Sequence, residues 1–352
     1  MFGAAAASRD VEVNPPPGDT PQCIKWSPVS NHLAVGSWDS TVKVYEISPQ
    51  GQSAPRQEFK FGAPVLDVDF VADGSKCVTA VADKTAQLCD LATGQTQQIA
   101  AHDAPVKSAR FLPQLNAVMT ASWDQTVKFW DMRSPNAVAS FTLGGRCYSA
   151  DAVNNLAAVV TSDRKVSVFT LDGGPRPFRE IELRATTAQA GQSASQALLN
   201  LQPRVLRCFP SGDGFAVGSI EGRVAILYAD PAKHEKEKFS FKCHRTADKG
   251  STDAYAVNDI AFHKQHGTFA TVGGNGVFYF WDKVNRNKLK EFPKAKAEIT
   301  CCDFNGDGTL FAYGCGYDWS KGHAHYNQAG YKGVLIHAVQ SADISPRPVQ
   351  RR

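Results

Sequence analysis

Along most of this chain apolar and polar residues alternate with a period of two, in short runs that stop at Gly, Pro, Asn or Asp. One such stretch, Ala121-Ser122-Trp123-Asp124-Gln125-Thr126-Val127-Lys128-Phe129-Trp130-Asp131, nearly repeats Gly36-Ser37-Trp38-Asp39-Ser40-Thr41-Val42-Lys43-Val44-Tyr45-Glu46. Each copy predicts a strand, a tight turn centred on the Asp, and a second strand. A hairpin of this kind cannot bury its inner face alone, so several copies must pack together.

The turn acids or their substitutes recur at Asp39, Asp83, Asp124, Asp163, Glu221, Asn275 and Asp318, giving seven units. A further strand is predicted upstream of each: Cys23 to Trp26, Leu66 to Phe70, Val106 to Phe111, Cys147 to Val153, Val205 to Phe209, Val257 to Phe262 and Ile299 to Phe304. The two long intervals, ending at Glu221 and Asn275, predict loop insertions at about 171–203 and 231–254. The first holds an Ala/Gln/Ser/Thr-rich stretch, Ala185 to Gln196, that reads as a mobile loop; the second is charged. Asp10 to Val13 is expected to pair with the last unit, which ends at Val334 to His337, and so remove an exposed edge. The expected organisation is a flexible segment 1–10, one repeat domain over 11–340, and a basic tail 341–352.

Two literal Trp-Asp pairs, Trp130-Asp131 and Trp281-Asp282, with Tyr45-Glu46 and Cys89-Asp90 as degenerate versions, resemble the WD40 repeat. The resemblance implies an all-β fold, a seven-bladed WD40 β-propeller of four-stranded blades. In the third unit His102, Ser122 or Thr120, Asp124 and Trp130 match the hydrogen-bonded tetrad of such blades, with Ser122 placed in it. The other units keep only parts of that tetrad.

With 352 residues, 43% of them hydrophobic, the chain has an ordinary globular composition, and no stretch approaches the ~20 apolar residues of a membrane span. A cytosolic or nuclear protein is expected. Nine cysteines without a C-x-x-C pair argue against a disulfide framework and a zinc ribbon; Cys77, Cys89, Cys208 and Cys301 fall in apolar runs and read as small hydrophobes. None of the phosphate-cradling, nucleophile-elbow, zincin or dinucleotide motifs is present, so no catalytic residue and no cofactor is expected. The pair His323 and His325 lacks a nearby carboxylate or Cys at ligand spacing, and no metal is expected there.

The net charge is only +4, but its placement is uneven. Lys283, Arg286, Lys288, Lys290, Lys294 and Lys296 outweigh the acids of the sixth unit, and Lys233, Lys236, Lys238, Lys242, Arg245 and Lys249 outweigh those of the second insertion. These predict one basic sector on the rim between blades five and six, with Phe241 and Trp281 interleaved. Cations with ring faces suit single-stranded nucleic acid, and acidic peptides would suit the same surface. Trp38 and Trp123, each just before a turn acid, are candidate interface anchors.

Four longer strings are more specific: Gly218-Ser219-Ile220-Glu221-Gly222-Arg223-Val224-Ala225-Ile226, Phe241-Lys242-Cys243-His244-Arg245, Tyr255-Ala256-Val257-Asn258, and Gly316-Tyr317-Asp318-Trp319-Ser320-Lys321-Gly322-His323. Together, over almost the full length, they resemble the WD40 mRNA export factors of the nuclear pore, partners of a GLFG-repeat nucleoporin. The first two strings are shared with a sibling, the spindle-checkpoint WD40 proteins that bind checkpoint kinases; the last resembles the export factors. The resemblance implies a non-enzymatic adaptor at the nuclear pore that shuttles to the cytoplasm, binds a hairpin motif of the nucleoporin on one propeller face and contacts RNA or mRNP through a basic rim, with mitotic partners as the alternative. On this reading Arg223 and Lys242, with Arg245 and Lys283 as neighbours, meet glutamates of the motif, and Trp38 and Trp123 supply apolar anchors. The RNA groove corresponds to Arg223, Phe241, Lys242, Trp281, Arg286 and Lys288.

Overall fold

Because an alternating hairpin leaves one apolar face uncovered, the chain stacks seven antiparallel four-stranded sheets as the blades of a β-propeller. The computed structural model describes residues 10–134, 136–184, 197–248 and 251–346. Six blades are built from four strands consecutive in sequence. The seventh takes Ile299–Phe304, Leu310–Cys315 and Gly333–Ala338 from the C-terminal side and Val11–Glu12 from the N-terminal side. Val11 pairs with Ile336, Val13 N donates to Val334 O at 2.8 Å, and Asp10 accepts from Tyr313 Oη at 2.6 Å. This pairing closes the ring.

The core is divided among the blade interfaces rather than gathered at one centre. Leu156, Val160 and Val168 of blade four, for example, pack on Leu206, Phe215 and Leu227 of blade five, and Phe278 and Phe280 of blade six on Phe304 and Phe311 of blade seven. Buried and half-buried carboxylates tie the inner strands together. Asp69 accepts from Phe111 N, Asp151 from Cys208 N, Asp259 from Cys302 N and Asp303 from Trp26 N, each reaching from one blade into the next. Arg110 bridges Asp67 and Asp151, and Arg207 lies 2.7 Å from Asp259. With each buried charge paired or accepting N–H groups, the desolvation cost is offset and the order of blades is specified.

Each inner strand carries a β-bulge at the same place. The register slips between Pro21 and Cys23, Val65 and Asp67, Val106 and Ser108, Cys147 and Ser149, Pro203 and Val205, Val257 and Asp259, and Ile299 and Cys301. One residue per blade is thereby left outside the ladder.

The insertions differ from the sequence reading. Arg176–Glu182, within the first, is the outer strand of blade four; its polar, exposed pattern beside a Gly/Pro turn disguised it. Ala185 to Gln196 lies outside the described residues. Within the second, Phe239–Lys242 is the outer strand of blade five, preceded by a helix, Pro231–Glu237, whose N-terminal N–H groups are capped by Asp230. Of this second insertion, the hairpin of Arg245–Asp248 and Ser251–Ala254 is what the described residues add between blades. At the C-terminus Ser341–Ile344 forms a helical turn that buries Ile344 and pairs Asp343 with Lys290 at 2.7 Å, so the chain is docked rather than free at 341; residues 347–352 lie outside the description.

Candidate functional site

Two blades carry a complete relay of side chains from turn to core. In blade three Trp130 Nε1 donates to Thr120 Oγ1 at 2.8 Å, Thr120 Oγ1 lies 2.7 Å from His102 Nε2, and His102 Nδ1 lies 2.8 Å from Asp124 Oδ2. An indole only donates and a carboxylate only accepts, so the relay runs from Trp through the Thr hydroxyl to a neutral imidazole and on to Asp124. The hydroxyl member is therefore Thr120, a correction to its placement at Ser122. Ser122 points from the end of the strand to the preceding connection, where it reaches Ala104 O and Pro105 O and accepts from Asp124 N. Blade six repeats the relay with Trp281, Thr271, His244 and Asn275, at 2.9, 2.9 and 2.8 Å, which corrects the expectation that the other blades keep only parts.

The relays hold the turns between second and third strands, and these turns share one face. The residue preceding each turn acid is Trp38, Ala82, Trp123, Ser162, Ile220, Gly274 and Tyr317 in blades one to seven. Large apolar or aromatic groups thus alternate with small ones around the face. Trp123 and Ile220 are each 38% exposed. Trp38 is half-buried; its indole donates to Gln22 Oε1 at 2.9 Å and its ring packs 5.2 Å from Trp319, which stacks on Tyr326. Trp123, Ile220, Tyr317 and Trp319 rim a depression of about 200 Å³. Ile220, Trp319 and Tyr317 were not among the sequence candidates; the signal available was the bulky residue beside the turn acid in every second blade.

A basic cluster borders this face at blade five. Arg223 and Lys242 are cross-strand partners, and Arg245 donates to Glu221 O at 2.7 Å and Gly222 O at 3.4 Å, clasping the same turn. Glu221 is the nearby acid, 3.8 Å from Arg223, and its other oxygen accepts from Asn200 N. Lys283 does not join them. It follows the third strand of blade six, at the opposite end of the blade, where its ammonium lies over Phe209 and burial, partly opposed by Asp213, pulls its pKa down.

From Arg223 and Lys242 an aromatic rim runs between blades five and six. The Phe241 and Trp281 rings are 4.6 Å apart, Phe239 lies 6.3 Å from Phe241, and the Arg286 guanidinium covers Phe239 at 4.4 Å. Lys288 pairs across the strand with Trp281, lies over Tyr279, and meets Glu291 at 2.5 Å. All six residues expected in the groove are therefore neighbours along one rim, with Phe239 and Tyr279 as additions. The Trp281 indole N–H is committed to Thr271, leaving only its ring face to a ligand.

Elsewhere, His323 and His325 are exposed in a single 3-10 turn, and among the described residues no group of three or more His, Cys, Asp or Glu could hold a metal ion. All nine cysteines are buried and unpaired. Among the described residues no helix is long and apolar enough to cross a membrane.

Seven closed blades with relays of this composition define a WD40-repeat propeller. The WD domain, G-beta repeat family matches residues 18–46 and 94–131. The Poly(A)+ RNA export protein of Schizosaccharomyces pombe is 40% identical over 365 residues, covering 100% of this chain and 99% of the relative. Protein Rae1 of Drosophila melanogaster is 42% identical over 360 residues, 99% of each chain, and the mRNA export factor of Danio rerio is 44% identical over 351 residues, 96% of this chain and 91% of the relative. The chain belongs to this family of WD40-repeat mRNA export factors.

Proposed function

We propose that this protein is a non-enzymatic adaptor in nuclear mRNA export that works at the nuclear pore and shuttles to the cytoplasm. Its turn face docks a hairpin motif of a GLFG-repeat nucleoporin, and its rim holds single-stranded RNA. The observation that carries the docking reading is the juxtaposition of exposed Trp123 and Ile220 with Arg223, Lys242 and Arg245 on one face. Aromatic anchors supply the desolvated centre of an interface, and guanidinium groups at its border select carboxylates. The rim reading rests on the row of rings Phe239, Phe241 and Trp281, with Arg286 over Phe239 and Lys288 beside Trp281 as its cross-strand partner, so that bases stack while phosphates meet cations.

The test uses the full-length chain, the nucleoporin hairpin peptide and an unstructured oligouridylate. Arg223→Glu with Lys242→Glu should weaken hairpin capture by about 100-fold, because each reversal removes a charge-assisted contact and adds a repulsion. Arg286→Glu should leave hairpin capture intact while weakening the oligonucleotide by about tenfold, with binding that falls as salt rises. Unchanged capture by a folded double variant would overturn the docking reading; salt-independent oligonucleotide binding would overturn the rim reading. Trp281→Ala is a poor probe, since it also opens the blade-six relay.

A further inference from the structure

The stretch that follows the third strand of blade seven reads in the sequence as a basic tail, and its first part is anchored. Ser341–Ile344 makes one helical turn, closed by Asp343 N donating to Gln340 O and Ser345 N to Ser341 O, both at 2.9 Å. Ile344 is 1% exposed and packs in the cluster of Leu289, Phe292, Phe278 and Phe311. Asp343 holds Lys290, on the outer strand of blade six, at 2.7 Å. Lys290 is the cross-strand partner of Phe280 and so faces blade seven, whereas Lys288 pairs with Trp281 and faces blade five. The turn therefore plugs the outer groove between blades six and seven, apart from both the turn-face depression and the aromatic rim.

At the end of this plug stands Ser345. It is half-buried, and its Oγ lies 3.1 Å from Ser341 Oγ. Its backbone is extended, φ −67° and ψ 141°, as suits a residue followed by Pro346. Five Ser or Thr residues of the chain precede a proline: Thr20, Ser27, Ser48, Ser134 and Ser345. Thr20 and Ser27 are buried, and their backbones pair with Trp38 and His32. Ser48 and Ser134 sit in turns between the third and fourth strands of blades one and three, Ser48 tied to Gln52 through its N and Oγ, Ser134 to Asn136 through its Oγ. To enter an enzyme's cleft in extended form, these four would have to break the pairing of a blade. Ser345 needs only one helical turn to lift, and such small units open most readily.

We infer that Ser345 is a phosphorylation site for a proline-directed protein kinase, and that the phosphate ejects the plug from the groove between blades six and seven. In the transfer the Ser345 hydroxyl oxygen bonds to the γ-phosphorus of ATP, the bond from that phosphorus to the bridging oxygen breaks, ADP leaves, and the hydroxyl proton passes to a base of the kinase. The product carries about −1.5 to −2 charges. In the docked turn that charge would replace a half-buried hydroxyl two residues from Asp343, whose ion-pair partner is the single ammonium of Lys290. Repulsion and lost hydration both favour the lifted turn. Lifting withdraws Ile344 from Leu289 and Phe292 and frees the Lys290 ammonium, which otherwise lies between Asp343 and the Phe292 ring. The groove is thus a masked surface, apolar at its floor and cationic at its border, that phosphorylation opens.

The experiment uses the full-length chain, a purified proline-directed kinase with ATP and Mg²⁺, and the variants Ser345→Ala and Ile344→Asp. Peptide mass spectrometry should find the phosphate on Ser345 in the wild type, with total incorporation at least tenfold lower in Ser345→Ala. Incorporation at the other four positions in its place, or none at Ser345, overturns the site. Amide hydrogen exchange over 339–345 and acetylation of the Lys290 amine by a soluble ester then report on the plug. In the phosphorylated chain, exchange of the Asp343 and Ser345 amides should speed about tenfold and Lys290 acetylation about threefold, both matching unphosphorylated Ile344→Asp. Ser345→Ala should keep the wild-type values, since it loses only the bond to Ser341. Protection retained in the fully phosphorylated chain would mean that the phosphate joins Lys290 and tightens the plug, which overturns ejection. Should Ile344→Asp fail to fold, Asp343→Asn breaks the ion pair alone and supplies the reference for a released Lys290.

Discussion

Blades three and six contain the same relay built on different electrostatics. His102 faces Asp124, a carboxylate whose pKa is lowered: burial pushes it up, but hydrogen bonds from Thr126 and His102 outweigh that. His244 faces Asn275, which accepts a hydrogen bond without offering charge, and the ring is 1% exposed. Burial lowers both histidines. For His102 the bond to Asp124 pushes back; for His244, with only the weak help of Asn275, the pKa falls to about 4. The geometry of the relay therefore needs only an acceptor at the turn, whereas its tolerance of protonation needs a carboxylate. The blade-three relay ends at Asp124 in the turn that carries Trp123, while the blade-six relay positions Trp281 beside Phe241 on the proposed RNA rim.

Removing the central hydroxyl should have the largest effect. Thr120→Val leaves Trp130 Nε1–H and His102 Nε2 both unsatisfied in a buried setting, at a cost of roughly 3–4 kcal/mol. Thr271→Val does the same in blade six, but Trp281 is more exposed than Trp130 and its N–H can recruit water, so roughly 2 kcal/mol is expected. Urea unfolding of the two variants at pH 7.5 measures this. Equal losses would mean that burial of the indole does not set the difference between the blades.

The pH dependence comes next. A histidine whose folded pKa lies below its unfolded value binds fewer protons when folded. Its contribution is then complete above the unfolded value of 6.5 and is lost as the pH falls through about 4. For His244 the full displacement corresponds to roughly 3 kcal/mol, about half of it already lost by pH 5. Asn275→Asp supplies the missing charge and should raise the His244 pKa, reducing the loss between pH 7.5 and pH 5 by about 1 kcal/mol. Asp124→Asn should do the reverse in blade three. Proton NMR titration of the two imidazoles, with urea midpoints at both pH values, separates these cases; unchanged titration of His244 in Asn275→Asp would remove the electrostatic distinction.

Blade three was legible in the sequence because His102 stands 22 residues before Asp124 and the Trp-Asp pair is literal. Blade six was hidden by two local changes. The inserted hairpin stretches the interval between His244 and Asn275 to 31 residues, and an amide replaces the acid. The fold, carried by period-two alternation and recurring turns, was readable because it depends on which face each residue occupies. The grouping of Lys283 with Arg223 failed for a reason of the same kind. Successive strands of a blade end on opposite faces, so a run of charge in sequence is divided between the two ends of a blade in space. Lys283 belongs with Phe209 and Asp213, and only Arg223, Lys242 and Arg245 gather at the turn. The residues set outside the ladders by the seven bulges, Gln22, Leu66, Lys107, Tyr148, Arg204, Asn258 and Thr300, gave no signal because each is a different residue type.

The smallest effect concerns the hydroxyl that the sequence placed in the wrong role. Ser122 stands two residues beyond Thr120 on the same strand, so both project from one face, but only Thr120 lies deep enough to meet an indole and an imidazole. Ser122 instead fastens the turn to the incoming strand, as Ser37 does in blade one, where its Oγ donates to Asp19 O and accepts from Asp39 N. Blade six has Gly273 at this place, with no such staple. Ser122→Ala should therefore cost only about 1 kcal/mol, leaving the His102 titration unchanged, because the relay itself is intact. The loosened turn carries Trp123, so the same variant should weaken hairpin capture by about threefold when measured beside Ser37→Ala. A stability loss as large as that of Thr120→Val would return Ser122 to the relay.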